Sequence, residues 1–177
     1  YQGSRLDARR ERRRNATVTT IAPTGTISLI AGCSPGIEPL YGVRILRRAL
    51  EDLELTMVHP VFARMIRAHG LPLETLRTDL AASPSIQDIA RIPREIRRLF
   101  VTAHDVPPQQ HVRMQAVFQR FSDSGVSKTI NLPSSATKAD VADAFLLAYE
   151  LGCKGLTVFR SGSRENQVLS CSPAQPC

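Results

Sequence analysis

Tryptophan is absent from these 177 residues, tyrosine and phenylalanine number only 3 and 6, and no apolar run approaches the roughly 18–20 residues of a membrane helix. The shortage of aromatics removes the stacking platform that single-stranded nucleic-acid binders use. The basic N-terminus is not followed by an apolar signal-peptide region, so a cytoplasmic address is expected. Methionine does not open the chain. Its first residue is Tyr1, which suggests a segment of a longer polypeptide or a missing start.

Cysteine pairs of the C-x-x-C type are also missing. The four cysteines, Cys33, Cys153, Cys171 and Cys177, fit neither a zinc knuckle nor a thioredoxin-type motif and read as reduced thiols. His59, His69, His104 and His111 are spaced unsuitably for a metal site, and H-E-x-x-H does not occur, so they read as surface or turn residues. The G-x-x-x-x-G-K-[ST] spacing of a P-loop is absent too, and with it any pointer to ATP hydrolysis.

What is present suffices for one sizeable core: 42% of residues are hydrophobic and 22% charged. The net charge is +7, and much of it sits in one run. There Arg5, Arg9, Arg10, Arg12, Arg13 and Arg14 outnumber Asp7 and Glu11. Such a run reads as a solvated helix or tail rather than a nucleic-acid site.

Residues 16–22 (ATVTTIA) are rich in β-branched side chains and stop at Pro23, which predicts a buried strand feeding a loop at 23–26. Ile27 to Ala31 is apolar again, followed by turn formers at 32–36. The middle of the chain reads as short helices, with Pro60 and Pro93 in first turns and Gly70 as a stop. Phe62, Met65 and Ile66 form one core-facing stripe, and Ile96, Leu99 and Phe100 another. A longer helix from Pro108 carries Met114, Val117, Phe118 and Phe121 on a single face. Val126, Lys128, Ile130 and Leu132 alternate with polar residues as a strand does. Thr137 with Asp140 resembles a capping box, opening a helix whose apolar face is Val141, Ala144, Phe145, Ala148 and Leu151, closed by Gly152. Residues 155–159 form a last strand, and the whole order argues for an α/β architecture. Three parts result: a basic segment 1–15, a folded part 16–164 and a flexible tail 165–177.

Two places could carry chemistry. The Thr24-Gly25-Thr26 loop can offer backbone N–H groups and hydroxyls to an anion, although any tight turn would use the same residues. Glu38, between Ile37 and Pro39, is either an acid or base, or a carboxylate bonded to backbone N–H groups.

Four phrases go further: RNATVTTIAPTGTISLIAGCSPGIEPL from Arg14, FVTAHDV from Phe100, SDSGVSKTINLP from Ser122 and LGCKGLTVFRSGSR from Leu151. Together and in this order they closely resemble the vitamin B12-dependent, class II ribonucleotide reductases. The resemblance implies the C-terminal part of that family's ten-stranded α/β barrel. It implies reduction of ribonucleotides to deoxyribonucleotides by a thiyl radical started by adenosylcobalamin, with an external dithiol such as thioredoxin as reductant. The family's phosphate loop falls on Pro23, Thr24, Gly25, Thr26, Ile27 and Ser28. Its radical cysteine lies upstream of the matching phrases, so this chain alone is expected to be inactive and to require the N-terminal portion. Cys33 and Cys153 are then packing residues, while Cys171 and Cys177 loosely resemble the family's reducing tail pair. Val158 and Phe159 stand where iron-dependent relatives carry two tyrosines, and neither side chain has a phenolic O–H to lose. The rival readings are a noncatalytic nucleotide-phosphate-binding or scaffold protein derived from the barrel, and a basic nucleic-acid-binding module.

Overall fold

A computed structural model describes residues 2–48, 54–163 and 169–170. The arginine run begins with a one-turn helix, α1 (Arg5–Ala8), capped by the Ser4 hydroxyl and with no fully buried residue. Residues 16–22 then run extended beside residues 123–127. Ser124 N donates to Thr19 O at 2.9 Å and Ser127 N to Ile21 O at 2.8 Å, with one parallel bridge between Ile21 and Val126. The expected strand is therefore an exposed extended segment rather than a buried one: Thr17 to Thr20 face solvent. Helix α2 (Gly25–Ala31) follows, so Gly25 and Thr26 of the expected loop are already helical, together with the apolar residues after them.

The middle region departs from the short helices expected there. Strands β1 (Arg44–Arg48) and β2 (Glu54–Val58) pair antiparallel with Ile45 opposite Met57. The interspersed arginines disguise the alternation. Beyond them the helices occur as the prolines and glycine indicate. Helix α3 (Pro60–Ala68) has Pro60 at its first position and His59 as N-cap, and Gly70 after its end has φ +72°. A 3-10 turn (Leu73–Leu76) leads into α4 (Arg77–Ala82), and α5 (Arg94–Leu99) has Pro93 as its N-cap residue, one place earlier than expected. Phe62, Ile66, Leu76, Ile86, Ile92, Ile96 and Phe100 close a first core, with the Phe62 and Phe100 rings edge to face at 5.3 Å. Leu99, expected in that core, is 66% exposed, because the short helix turns only Ile96 and Phe100 inward.

The second core lies beneath α6 (Pro108–Gln119), β3 (Thr129–Leu132), α7 (Lys138–Glu150) and β4 (Thr157–Arg160). Strands β3 and β4 are parallel, Ile130 opposite Val158, as a strand–helix–strand crossover requires. The expected alternation is present: Val126, Lys128, Ile130 and Leu132 are all buried, with half-buried residues between them. The Thr137–Asp140 capping box is complete and Gly152, φ +75°, follows the end of α7. Ala144 and Ala148 face the core, but Phe145 points outward.

Helix α6 is turned the other way round from its hydrophobic pattern. Met114, Val117, Phe118 and Phe121 are exposed, Phe121 by 82%, and the buried side is His111, Val112, Gln115, Ala116 and Gln119. Polar residues at i, i+4 and i+8 thus form the buried side. Within the segment expected to be a flexible tail, Leu169 and Ser170 form a two-residue strand, β5, against β1. The described sheets, of three and two strands, are open. No helix among the described residues is long and apolar enough to cross a membrane.

Candidate functional site

Parallel strands leave the ends of their loops on one side of a sheet, and here residues 20–23, 125–127 and 154–157 line an open cavity of about 550 Å³. Residues 23–28 leave from its rim. Thr24 has φ +50°, a left-handed conformation in which a β-branched residue is a genuine outlier. The turn it makes sends the chain into α2, whose first N–H groups have no intrahelical partner by geometry. Ser28 closes the turn: its N–H donates to Thr24 O at 3.0 Å, its hydroxyl donates to Gly25 O at 2.8 Å, and its side chain is buried. Gly25, Thr26 and Ile27 are exposed, and Thr24 half-buried. Of the six expected loop residues, five therefore remain accessible, while Ser28 holds the turn together.

Glu38 resolves in favour of hydrogen bonding, with partners far along the chain. One carboxylate oxygen accepts from Thr129 N–H at 2.5 Å and the other meets Lys128 Nζ at 2.6 Å. The Lys128 side chain is 2% exposed. Removing one partner of such a buried pair costs about 3–5 kcal/mol, because the other charge is left stranded. The sequence pattern had placed Lys128 on the buried side of its strand, and that is the only signal that could have revealed the pair.

The polar side of α6 works as a set of staples. Gln115 Nε2 donates to Val126 O at 3.0 Å and to Gly155 O at 2.7 Å, joining the segments before β3 and β4. Gln119 Nε2 donates to Ser124 O at 2.8 Å and to Ser122 O at 3.2 Å, and its Oε1 accepts from Lys154 N–H at 3.3 Å. One histidine corrects the expectation of surface or turn residues: His111, within α6, is 1% exposed with Nε2 3.0 Å from Ala103 O. His104 lies in a turn, half-buried, and packs edge to face on Tyr41. Burial lowers both imidazole pKa values and pushes the Tyr41 hydroxyl up to about 12.

Cys153 packs against the second core, and burial raises its thiol pKa. Cys33 is exposed, which corrects its assignment as a packing residue: the turn at 32–36 lies on the surface. Cys171 and Cys177 lie outside the described residues. Among the described residues no three of His, Cys, Asp and Glu come together as a metal site would need.

Residues 4–159 match the family described as "Ribonucleotide reductase, barrel domain". The chain belongs to this family. This reductase segment is similar to the vitamin B12-dependent ribonucleoside-diphosphate reductase of Thermoplasma acidophilum, 46% identical over 175 residues that are 99% of this chain and 23% of the relative. The protein of the same name in Mycobacterium tuberculosis is 45% identical over 96% of this chain and 24% of its own length. The chain thus spans about a quarter of the curated relatives it matches. Among solved structures, the class Id ribonucleotide reductase alpha subunit of Actinobacillus ureae superposes with a TM-score of 0.68 at 24% identity, covering 89% of this chain and 28% of that one. That likeness supports the reductase fold. Val158 and Phe159 lie half-buried on β4 of the reductase segment.

Proposed function

We propose that this chain is the C-terminal barrel portion of a vitamin B12-dependent ribonucleotide reductase and supplies the loop that holds the substrate's phosphates. The observation that carries the proposal is the similarity to enzymes of that name along 99% of the chain. The geometry of residues 23–28 supports the phosphate role. A strained threonine leads into Gly25 and Thr26, the first residues of α2, so backbone N–H groups and the Thr24 and Thr26 hydroxyls offer several donors to one anion.

The radical cysteine belongs to the N-terminal portion, and the open sheets described here complete the ten-stranded barrel with strands from that portion. When bound, adenosylcobalamin supplies the radical. Val158 and Phe159 suit this arrangement, since a radical generated within the subunit needs no phenolic relay on β4. The residues of this segment bind and orient the ribonucleotide. Cys171 and Cys177 are candidates for passing reducing equivalents from an external dithiol such as thioredoxin.

A graft tests the proposal. Residues 4–159 placed in the matching stretch of the Thermoplasma acidophilum relative should give deoxyribonucleotide in a reaction that needs adenosylcobalamin and a dithiol. A folded chimera without product, or one whose product does not depend on cobalamin, would contradict it.

A further inference from the structure

The tight turn from Pro35 to Glu38 touches two parts of the molecule at once. Glu38 N donates to Pro35 O at 2.9 Å, and Gly36 within the turn has φ +50°. A Cβ at Gly36 would stand 3.0 Å from the Ala22 carbonyl oxygen and 3.9 Å from Thr24 Oγ1. The backbone of the turn therefore rests on the start of the 23–28 loop, and only glycine allows the approach. On its other side the turn is anchored by the Glu38 carboxylate, which takes Lys128 Nζ at 2.6 Å and Thr129 N–H at 2.5 Å.

Both anchors lie at the start of β3, and the residues just before them already hold Ile21 through Ser127 N–H at 2.8 Å. The loop is thus gripped from two directions by one strand. Thr24 is the residue that needs the grip. At φ +50° it occupies a conformation that a β-branched residue keeps only when its surroundings impose it.

We infer that Glu38 is a positioning residue for phosphate binding: through the 35–38 turn it transfers the fixed place of Lys128 and Thr129 to Thr24, setting the donors of residues 24–28. This rests on the reading of 23–28 as the phosphate loop. Lys128 does not serve the phosphate, because its buried ammonium is aimed at Glu38. The rival view, in which Lys128 is the cation that meets the anion, makes the opposite prediction for a Glu38 variant.

Hydrogen exchange read by mass spectrometry on the 177-residue chain, with inorganic pyrophosphate as the probe, separates the possibilities and tolerates self-association. In the unaltered chain, pyrophosphate should slow exchange in a peptide covering residues 22–32. Its failure to do so would overturn the phosphate reading and this inference with it. Glu38→Gln keeps an acceptor for Thr129 but strands the lysine charge, and should require on the order of tenfold more pyrophosphate for the same protection, with residues 138–150 exchanging as before. An unchanged or stronger response would overturn the inference while leaving the phosphate reading intact. Should Glu38→Gln loosen the whole fold, Gly36→Ala decides, because its Cβ would press on the Ala22 carbonyl oxygen while both Glu38 and Lys128 remain. A weakened pyrophosphate response in a chain that still protects residues 138–150 supports positioning, and an unchanged response overturns it.

Discussion

His111 Nε2 lies 3.0 Å from the carbonyl oxygen of Ala103, and since that oxygen can only accept, the ring carries its hydrogen on Nε2. Nδ1 is then a buried lone pair with no hydrogen-bond partner among the described residues. Protonating it would place a charge where nothing receives it.

Acid should therefore weaken the fold through this ring. Burial is the largest influence on His111 and lowers its pKa, against the raising effects of Ala103 O and Glu38. His104 and His59 shift the same way for the same first cause. A lowered pKa means that the unfolded chain binds more protons. The stabilisation is complete above about pH 6.5 and is lost as pH falls from there through the folded-state values. Denaturant midpoints measured from pH 8 to pH 5 should decline, and His111→Gln should flatten part of the slope. A pH-independent midpoint would contradict the burial of these rings.

Gln115 is expected to matter more than an ordinary surface glutamine. Gln115→Leu leaves the carbonyls of Val126 and Gly155 without their donor, at about 1–3 kcal/mol for each group that stays dry. Urea unfolding should show the loss. A variant as stable as the parent would mean that water replaces the amide at both carbonyls.

The apolar side of α6 should make the isolated chain associate, since exposed apolar patches and open sheet edges both attract other chains. Replacing Val117 and Phe121 by serine removes two of the exposed side chains without touching the cores. Light scattering should then report smaller particles, with thermal stability little changed. A monomeric parent chain would show that this face is tolerated by water.

In a complete reductase containing this segment, Thr24→Val together with Thr26→Val should raise the KM for the ribonucleotide. A hydroxyl bond to a charged group is worth about 1.5–3 kcal/mol, so each substitution should be felt. An unchanged KM would place the phosphate on backbone N–H groups or elsewhere.

Local rules made much of this protein legible before its structure. Pro60, Pro108, Gly70, Gly152 and the Thr137–Asp140 box mark helix boundaries because their effects are confined to a single turn of backbone. The alternation from Val126 to Leu132 reports burial because a strand has only two sides. The family was visible as a set of phrases.

Tertiary structure alone decided which surfaces found partners. The stripe on α6 promised a core contact, yet the turn at Ala103 and the segments leading into β3 and β4 present carbonyls to its other side, so His111 and two glutamines turn inward and the apolar residues turn out. Residues 16–22 had the composition of a buried strand, but their only described strand neighbour is the 123–127 segment, and most stay in solvent. Glu38 and Lys128 are ninety positions apart, a separation over which no periodicity carries information. The sequence by itself determined where α3 and α7 begin and end and where α6 begins, since those choices depend on neighbours within a turn. Which face each element buries, and which buried charge meets which, depends on the sheet and loops brought against it, and only the folded chain sets those.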